Sequence, residues 1–353
     1  MIGKNLDVWA VVRCATYNQA QYIKDALDGF CRQMTDFDFV CTIENDASTD
    51  ETEQVLADYL KENFDIGEDA DGGREETDDY ILMVGRHKTN QRCHFAVYNL
   101  KYNHYCKKDK TPYLRRWLEA AKYMAICEGD DYWTDTNNLN EKVGYLEEHP
   151  GCGMVYSKAT RIDGVTGKML GEIGSDCMDF PTLLKRNDIP TVTAVMRMDM
   201  VLGYQKEINP LSRPWKMGDY PLWLWIAEHK GIKFLNKATA TYRLMPNSAS
   251  HSPDAQRTIG FIDSTMEIQK FFAARSGIKF DDGWVNQNYK YVLCKRLAGM
   301  AKGEKCTAEE LALMYSRVKR ITWRMWLSYW ICRMGLAGRW MEKLGIVNKK
   351  WIG

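Results

Sequence analysis

Over its first half the chain alternates short apolar runs with apolar residues at helical spacing. Val8–Val12 is apolar, and Ile23, Ala26, Leu27 and Phe30 follow at intervals of three and four, which predicts a strand and then an amphipathic helix. Phe39–Ile43 predicts a second strand, and Ser48-x-x-Glu51 reads as a capping box ahead of Val55, Leu56, Tyr59 and Leu60. Ile81–Val84 and Tyr123–Cys127 complete four strand candidates. This alternation predicts an α/β fold, a parallel sheet with helices on both faces. Ligands of such sheets bind at the carboxyl ends of the strands. Past Cys152–Ser157 the pattern is mixed: Phe180–Arg186 and Tyr220–His229 predict helices, Val192–Met196 and Thr239–Tyr242 strands. From about residue 254 only helical patterns remain, over 254–276, 284–301 and 307–343, and no internal repeat is visible.

A length of 353 residues suggests two domains, or one large domain with a tail. Hydrophobic residues at 45% and charged residues at 27% exclude a disordered or collagen-like chain. Lys and Arg total 48 against 47 Asp and Glu, a balance that argues against a nucleic-acid binder. That balance is a cancellation. Residues 317–353 hold nine basic residues and one acidic residue, Glu342, for a charge of +8, while the rest of the chain carries −7. Five of the twelve tryptophans lie in the same tail, and Trp323, Trp326, Leu327, Trp330, Ile331 and Met334 share one helical face. Such a basic, Trp-bearing helix suits an anionic membrane surface, or a homo-oligomer contact. A second anomaly, 65–79, holds eight acidic residues and reads as a solvated acidic loop. No uncharged run approaches the length of a membrane span, and the amino terminus shows no signal-peptide pattern, so a cytoplasmic location is expected. The eleven cysteines form no C-x-x-C pair and no zinc-ligand spacing with histidine, which predicts reduced thiols.

Three polar clusters follow predicted strands: Ala15-Thr16-Tyr17-Asn18, Glu44-Asn45-Asp46-Ala47-Ser48-Thr49-Asp50 and Glu128-Gly129-Asp130-Asp131-Tyr132-Trp133. Alone, the first is compatible with a plain turn, the second with a helix cap and the third with an exposed acidic turn. The third carries more weight, because three carboxylates within four residues repel unless a cation or hydrogen-bond donors neutralise them. Hard oxygen ligands of this kind suit Mg²⁺ or Mn²⁺, which typically takes one or two carboxylates together with substrate phosphates. Gly218-Asp219 opens a further apolar helical stretch, where the acid is equally a helix cap or a catalytic base.

In this order the motifs resemble a family 2 glycosyltransferase of the GT-A fold, over residues 8 to about 250. Such enzymes carry P-T-Y-N, then D-D-G-S-T-D, then a D-x-D motif followed by Asp and often Trp. This chain departs at Ala15, Asn45, Ala47 and Glu128. The resemblance implies a Rossmann-like nucleotide-binding sheet in a catalytic domain 1–250, followed by a helical region 251–353. It implies a nucleotide-diphosphate sugar as donor, a UDP-sugar, and inversion on transfer to a hydroxyl of a glycan or lipid-linked acceptor in bacterial surface polysaccharide synthesis. Donor contacts would come from Thr16, Tyr17 and Asn18 beside the base, Asp46 accepting from it, Arg86 or His87 near the base or ribose, Glu128 near the ribose, and Asp130. Asp130 would hold the Mn²⁺ or Mg²⁺, with Asp131 in support and His251 in place of a histidine that relatives carry after the Tyr-Arg of Thr239–Leu244. Asp219 would be the general base. Two alternatives stand beside this: a nucleotidyltransferase, against which the absence of glycine in ATYNQAQYIKDA counts, and a degenerate nucleotide-sugar-binding or scaffold protein, which retention of Asp130, Asp131 and Asp219 disfavours.

Overall fold

The computed structural model describes residues 7–67, 72–104, 110–245, 255–281, most positions of 283–297, 306–319, and 323, 326, 327 and 330. The chain forms two compact units, Met1–Arg213 with Gly218–Met245, and Pro214–Met217 with Pro246–Gly353.

In the first unit the strands are β1 (Val8–Thr16), β2 (Asp38–Asn45), β3 (Phe64–Asp65), β4 (Gly73–Glu76), β5 (Tyr80–His87), β6 (Cys93–Leu100), β7 (Tyr123–Ile126), β8 (Tyr132–Trp133), β9 (Cys152–Asp163), β10 (Met169–Ile173), β11 (Val195–Arg197) and β12 (Gly231–Leu244). The helices are α1 (Ile23–Cys31), α2 (Thr52–Asn63), α3 (Thr111–Leu118), α4 (Asn138–Glu148), α5 (Phe180–Lys185), α6 (Met198–Ile208) and α7 (Asp219–His229). Among the described residues these strands join one sheet in the order β3-β5-β6-β2-β1-β7-β11-β9-β12-β8, with β10 beside β9 and β4 beside β5. The sheet is mixed rather than parallel throughout. β6, β2, β1 and β7 run parallel, whereas β5 and β11 run antiparallel to their neighbours β6 and β7.

β6 was not among the expected strands, although all but one of its residues are buried. Its presence turns the expected third strand, now β5, into an antiparallel outer strand. The expected acidic loop 65–79 is also partly folded: Asp65 belongs to β3 and Gly73–Glu76 forms β4, both paired with β5. Arg116 forks onto Glu75 at 2.9 and 2.8 Å, and Lys101 bonds Glu76 at 3.0 Å, so basic partners offset part of its charge.

β2 is buried along Phe39–Asn45, the pattern of a central strand covered on both faces. α1 packs its apolar stripe, Ile23, Ala26, Leu27 and Phe30, into the same core. The chain leaves β1 towards β2 and β6, then returns past β1 to form β7 on its other side. The carboxyl ends of β1 and β7 therefore flank a point where strand order reverses, the usual place for a ligand in such a sheet.

In the second unit, helix Ala255–Arg275 and helix Ala308–Arg317 contribute to a cluster of Ile259, Ile262, Tyr289, Leu293, Leu297 and Leu311. Thr307 and Glu310 form a capping box at the start of the latter helix. No described helix is long and apolar enough to cross a membrane.

α1 approaches β8 so closely that a Cβ on Gly29 would lie 2.9 Å from Trp133 O and 3.0 Å from Trp133 N, both backbone atoms. Gly29→Ala should therefore destabilise the first unit by about 1–3 kcal/mol despite alanine's better helix propensity. Urea unfolding measures this; an unchanged or raised midpoint would show that the helix moves aside freely.

Candidate active site

Three backbone hydrogen bonds build the frame of the site. Cys127 N donates to Arg13 O, Gly129 N to Ala15 O and Asp46 N to Thr16 O, each at 3.0 Å. Pairing thus continues past the ends of β2 and β7, and the turn after β1 lies between the Asp46 and Glu128–Asp131 turns. Gly129 is required by this closeness: a Cβ there would stand 2.6 Å from Gln19 Oε1 and 2.9 Å from Thr16 Cβ.

In the first turn Thr16 is buried and its hydroxyl has no hydrogen-bond partner among the described residues. Tyr17 is 47% exposed, which leaves its ring available as a stacking platform. Asn18 faces the β2 loop: its Oδ1 accepts from Thr49 N at 2.7 Å and its N donates to Ser48 Oγ at 2.9 Å. The expected Ser48–Glu51 capping box does not form. Ser48 is engaged with Asn18 and Asn45, and Asp50 Oδ1 instead accepts from Thr52 N at 3.0 Å. Ala47 occupies the left-handed region at φ 56°, where the family motif has glycine.

Asp46 is buried and balanced by groups that the motifs did not reveal. Its Oδ1 accepts from His104 N at 2.8 Å, and Lys110 Nζ lies 3.7 Å from its Oδ2 and 3.8 Å from Glu44 Oε2. Arg13 forks onto Glu44 with two bonds of 3.0 Å. Both buried carboxylates thus have a basic group beside them, as buried acidic side chains generally do.

The Glu128–Asp131 turn carries an excess of negative charge. Glu128 is pushed up to about 7, by desolvation first and then by Asp130 and Asp219, with Lys110 opposing. The residue is exposed, so Asp130 and Asp219 act on it at the open side of the turn. Burial raises Asp130 as well, against the favourable effect of Arg243 and of Gln19. Asp131 is raised well above the usual carboxylate range by burial and then by Asp130. Its Oδ1 accepts from Arg243 N at 2.8 Å, so Asp131 ties the turn to β12. Arg243 completes the tie: its Nη1 donates to Asp130 O at 2.7 Å, and its guanidinium bonds Asp25 and lies 4.6 Å from the centre of the Tyr132 ring.

Asp219 opens α7 and faces the same cluster, since its charge is one of those acting on Glu128. Its Oδ2 accepts from Thr191 Oγ1 at 2.6 Å and its Oδ1 from Tyr220 N at 2.7 Å. Thr191 begins a 3-10 turn, Thr191–Thr193, where the sequence suggested a strand over Val192–Met196; β11 is the shorter Val195–Arg197.

The structure brings Thr16, Tyr17, Asp46, Glu128, Asp130, Asp131 and Asp219 to one edge of the sheet. It does not bring Arg86 there. β5 is antiparallel to β6, so Arg86 pairs with His94 at the opposite edge and lines a separate depression of about 550 Å³ with Lys61 and Lys88. His87 lies beside it and accepts from Asn90 N at 2.9 Å. His251 lies outside the described residues. Among the described residues no three His, Cys, Asp or Glu side chains stand close enough to share a metal ion. The carboxylates of the Glu128–Asp131 turn are hard oxygen donors, the type that a divalent cation such as Mn²⁺ or Mg²⁺ takes.

Residues 12–67 match the family model described as glycosyl transferase family 2. The uncharacterized proteins Rv1520 of Mycobacterium tuberculosis and Mb1547 of Mycobacterium bovis are each 27% identical to the chain over 250 residues. That match covers 69% of this chain but only 60% of the length of those relatives. Among solved structures, TarS of S. aureus in complex with UDP-GlcNAc is 15% identical, with a TM-score of 0.49 and coverage of 88% of this chain and 82% of that one. Mannosyltransferase PcManGT from Pyrobaculum calidifontis, in complex with GDP-Man and Mn²⁺, is 14% identical, with a TM-score of 0.45 and coverage of 89% and 83%.

The raised Glu128 has a signed consequence for stability. Between the usual carboxylate range near 4.5 and about 7, the folded state holds a proton that the unfolded chain has released. Stability from this group is therefore lost as pH rises through that window. In metal-free protein, wild type should lose stability relative to Glu128→Gln between about pH 5 and about pH 7.5. Equal urea midpoint differences at both pH values would contradict the shift.

Proposed function

We propose, from the premise that residues 12–67 belong to glycosyltransferase family 2, that the protein is an inverting transferase acting on a nucleoside-diphosphate sugar. The acceptor is a hydroxyl of a glycan or lipid-linked molecule, as in bacterial surface polysaccharide assembly. The observation that carries this is that Asp219, at the head of α7, lies near enough for its charge to act on Glu128, although the two are far apart in sequence.

Tyr17 would stack on the base, uracil in a UDP-sugar, and Asp46 would accept a hydrogen bond from its one N–H. Glu128 would face the ribose. Asp130 would hold Mn²⁺ or Mg²⁺ beside the diphosphate, where the cation supplies stabilisation of the charge on the leaving group. Asp131 and Arg243 hold the turn in place. Asp219 takes the proton of the acceptor hydroxyl, whose oxygen attacks the anomeric carbon opposite the leaving diphosphate. One glycosidic C–O bond forms as the sugar–phosphate bond breaks, so the configuration inverts.

The basic tail extends this proposal to a position on the inner face of the cell membrane. Trp323, Trp326 and Trp330 are exposed, while Leu327 packs against the apolar cluster of the second unit. Exposed tryptophans in a segment of charge +8 fit an anionic lipid surface, each Lys or Arg contributing about 1 kcal/mol. Ile331 and Met334, expected on the same face, lie outside the described residues.

Sugar transfer with a panel of nucleotide sugars tests the chemistry. Asp219→Asn should retain donor affinity and lose roughly 100- to 10,000-fold in turnover. Near-normal turnover would place the base elsewhere. Sedimentation with anionic and neutral vesicles tests the tail. Binding should be selective for anionic lipid at low salt and weaken with added salt; no binding, or self-association in its place, would overturn the membrane assignment.

A further inference from the structure

α4 carries a lysine in the interior of the first unit. Lys142 is fully buried, and its Nζ lies 2.5 Å from Asn138 Oδ1, 2.6 Å from Thr193 O, 3.1 Å from Ser157 Oγ and 3.2 Å from Thr239 Oγ1. These oxygens belong to α4, the 3-10 turn, β9 and β12. Burial lowers the Lys142 pKa to about 7, with Glu141 and Asp135 opposing and Lys237 adding to the effect. Placing an ammonium here is costly, and an apolar side chain of similar length would fill the same space without that cost.

The groups it holds lead to both halves of the site. Within the 3-10 turn, Thr193 O accepts from Lys142, Val192 O accepts from Trp133 Nε1 at 2.8 Å, and Thr191 Oγ1 donates to Asp219 Oδ2 at 2.6 Å. Three successive residues therefore join the lysine, the segment just after Asp131, and the carboxylate assigned as base. Thr239 lies on β12, which carries Arg243 and its bonds to Asp130 and Asp131 four residues on.

We propose that Lys142 is a positioning residue for sugar transfer, fixing the Thr191–Thr193 turn so that Thr191 aims the Asp219 carboxylate at the Glu128–Asp131 turn. This rests on the assignment of Asp219 under the proposed function. Lys142 touches neither donor nor acceptor, and its effect belongs to the geometry of the attacking step.

The test compares Lys142→Met, Thr191→Val and the double variant, each checked by urea unfolding and by calorimetric binding of UDP with Mn²⁺. Each single variant should lower kcat by roughly 10- to 100-fold with donor KM nearly unchanged, the effect of a small misplacement of a reacting group. The double variant should be no slower than the slower single one, since both cut the same link. Lys142→Gln replaces Lys142→Met if the latter does not fold. Unchanged kcat in either single variant, a change confined to KM, or losses that multiply in the double variant overturn the proposal. If wild type transfers no sugar, the proposed function fails first. The link is then judged by the unfolding free energies of the same variants: non-additivity supports it and additivity overturns it.

Discussion

Carboxylates that face one another at a partly buried sheet edge repel, and the edge of this sheet gathers them from segments distant in sequence. Glu44 and Asp46 arrive from β2, Glu128, Asp130 and Asp131 from the turn after β7, and Asp219 from the start of α7. Among the described residues the basic partners are unevenly placed. Arg13 and Lys110 sit against Glu44 and Asp46, whereas the charges of Asp130 and Asp219 act on Glu128 with Lys110 opposing. On the proposed function, the donor brings a cation to the Glu128–Asp131 turn and a neutral base to the side of Asp46. Low local dielectric raises the cost of leaving such carboxylates unpaired.

Backbone pairing makes that crowding possible. Hydrogen bonds that continue past the ends of β2 and β7 hold the turn on either side one strand spacing from the turn after β1, and Gly129 removes the side chain that would force two of them apart. Arg243 then clamps the acidic turn from β12, through both its backbone N–H and its guanidinium. The fold contributes a fixed spacing between the turns, and the side chains contribute the sign of the charge.

Much of this edge was legible in the sequence because β1, β2 and β7 are apolar runs that lead directly into polar clusters. β6 was not legible: its run, CHFAVYNL, mixes His and Asn with apolar residues, and Asn99 gains its partner, Asn45 Nδ2 at 2.9 Å, only once β2 lies beside it. Missing it assigned β5 the wrong direction and sent Arg86 to the wrong edge of the sheet. Arg13 and Lys110 show no local signal, since an isolated basic residue resembles any solvated one until its buried carboxylate is placed beside it. Thr191 is equally silent, for its role depends on a turn where β-branched residues suggested a strand. The Ser48–Glu51 pattern misled in the opposite sense. A capping box is a local preference, and contacts with Asn18 and Asn45 outcompete it here.

On the proposed function, the acidic turn receives a cation together with a nucleoside diphosphate. Titration calorimetry of UDP with and without Mn²⁺, near neutral pH and in two buffers of different ionisation enthalpy, tests it most directly. Binding should require the cation, and it should release protons, because Glu128 is held near half-protonation at about 7 and a neighbouring cation favours its charged form. Equal UDP affinity without Mn²⁺, and no difference in heat between the two buffers, would contradict the account.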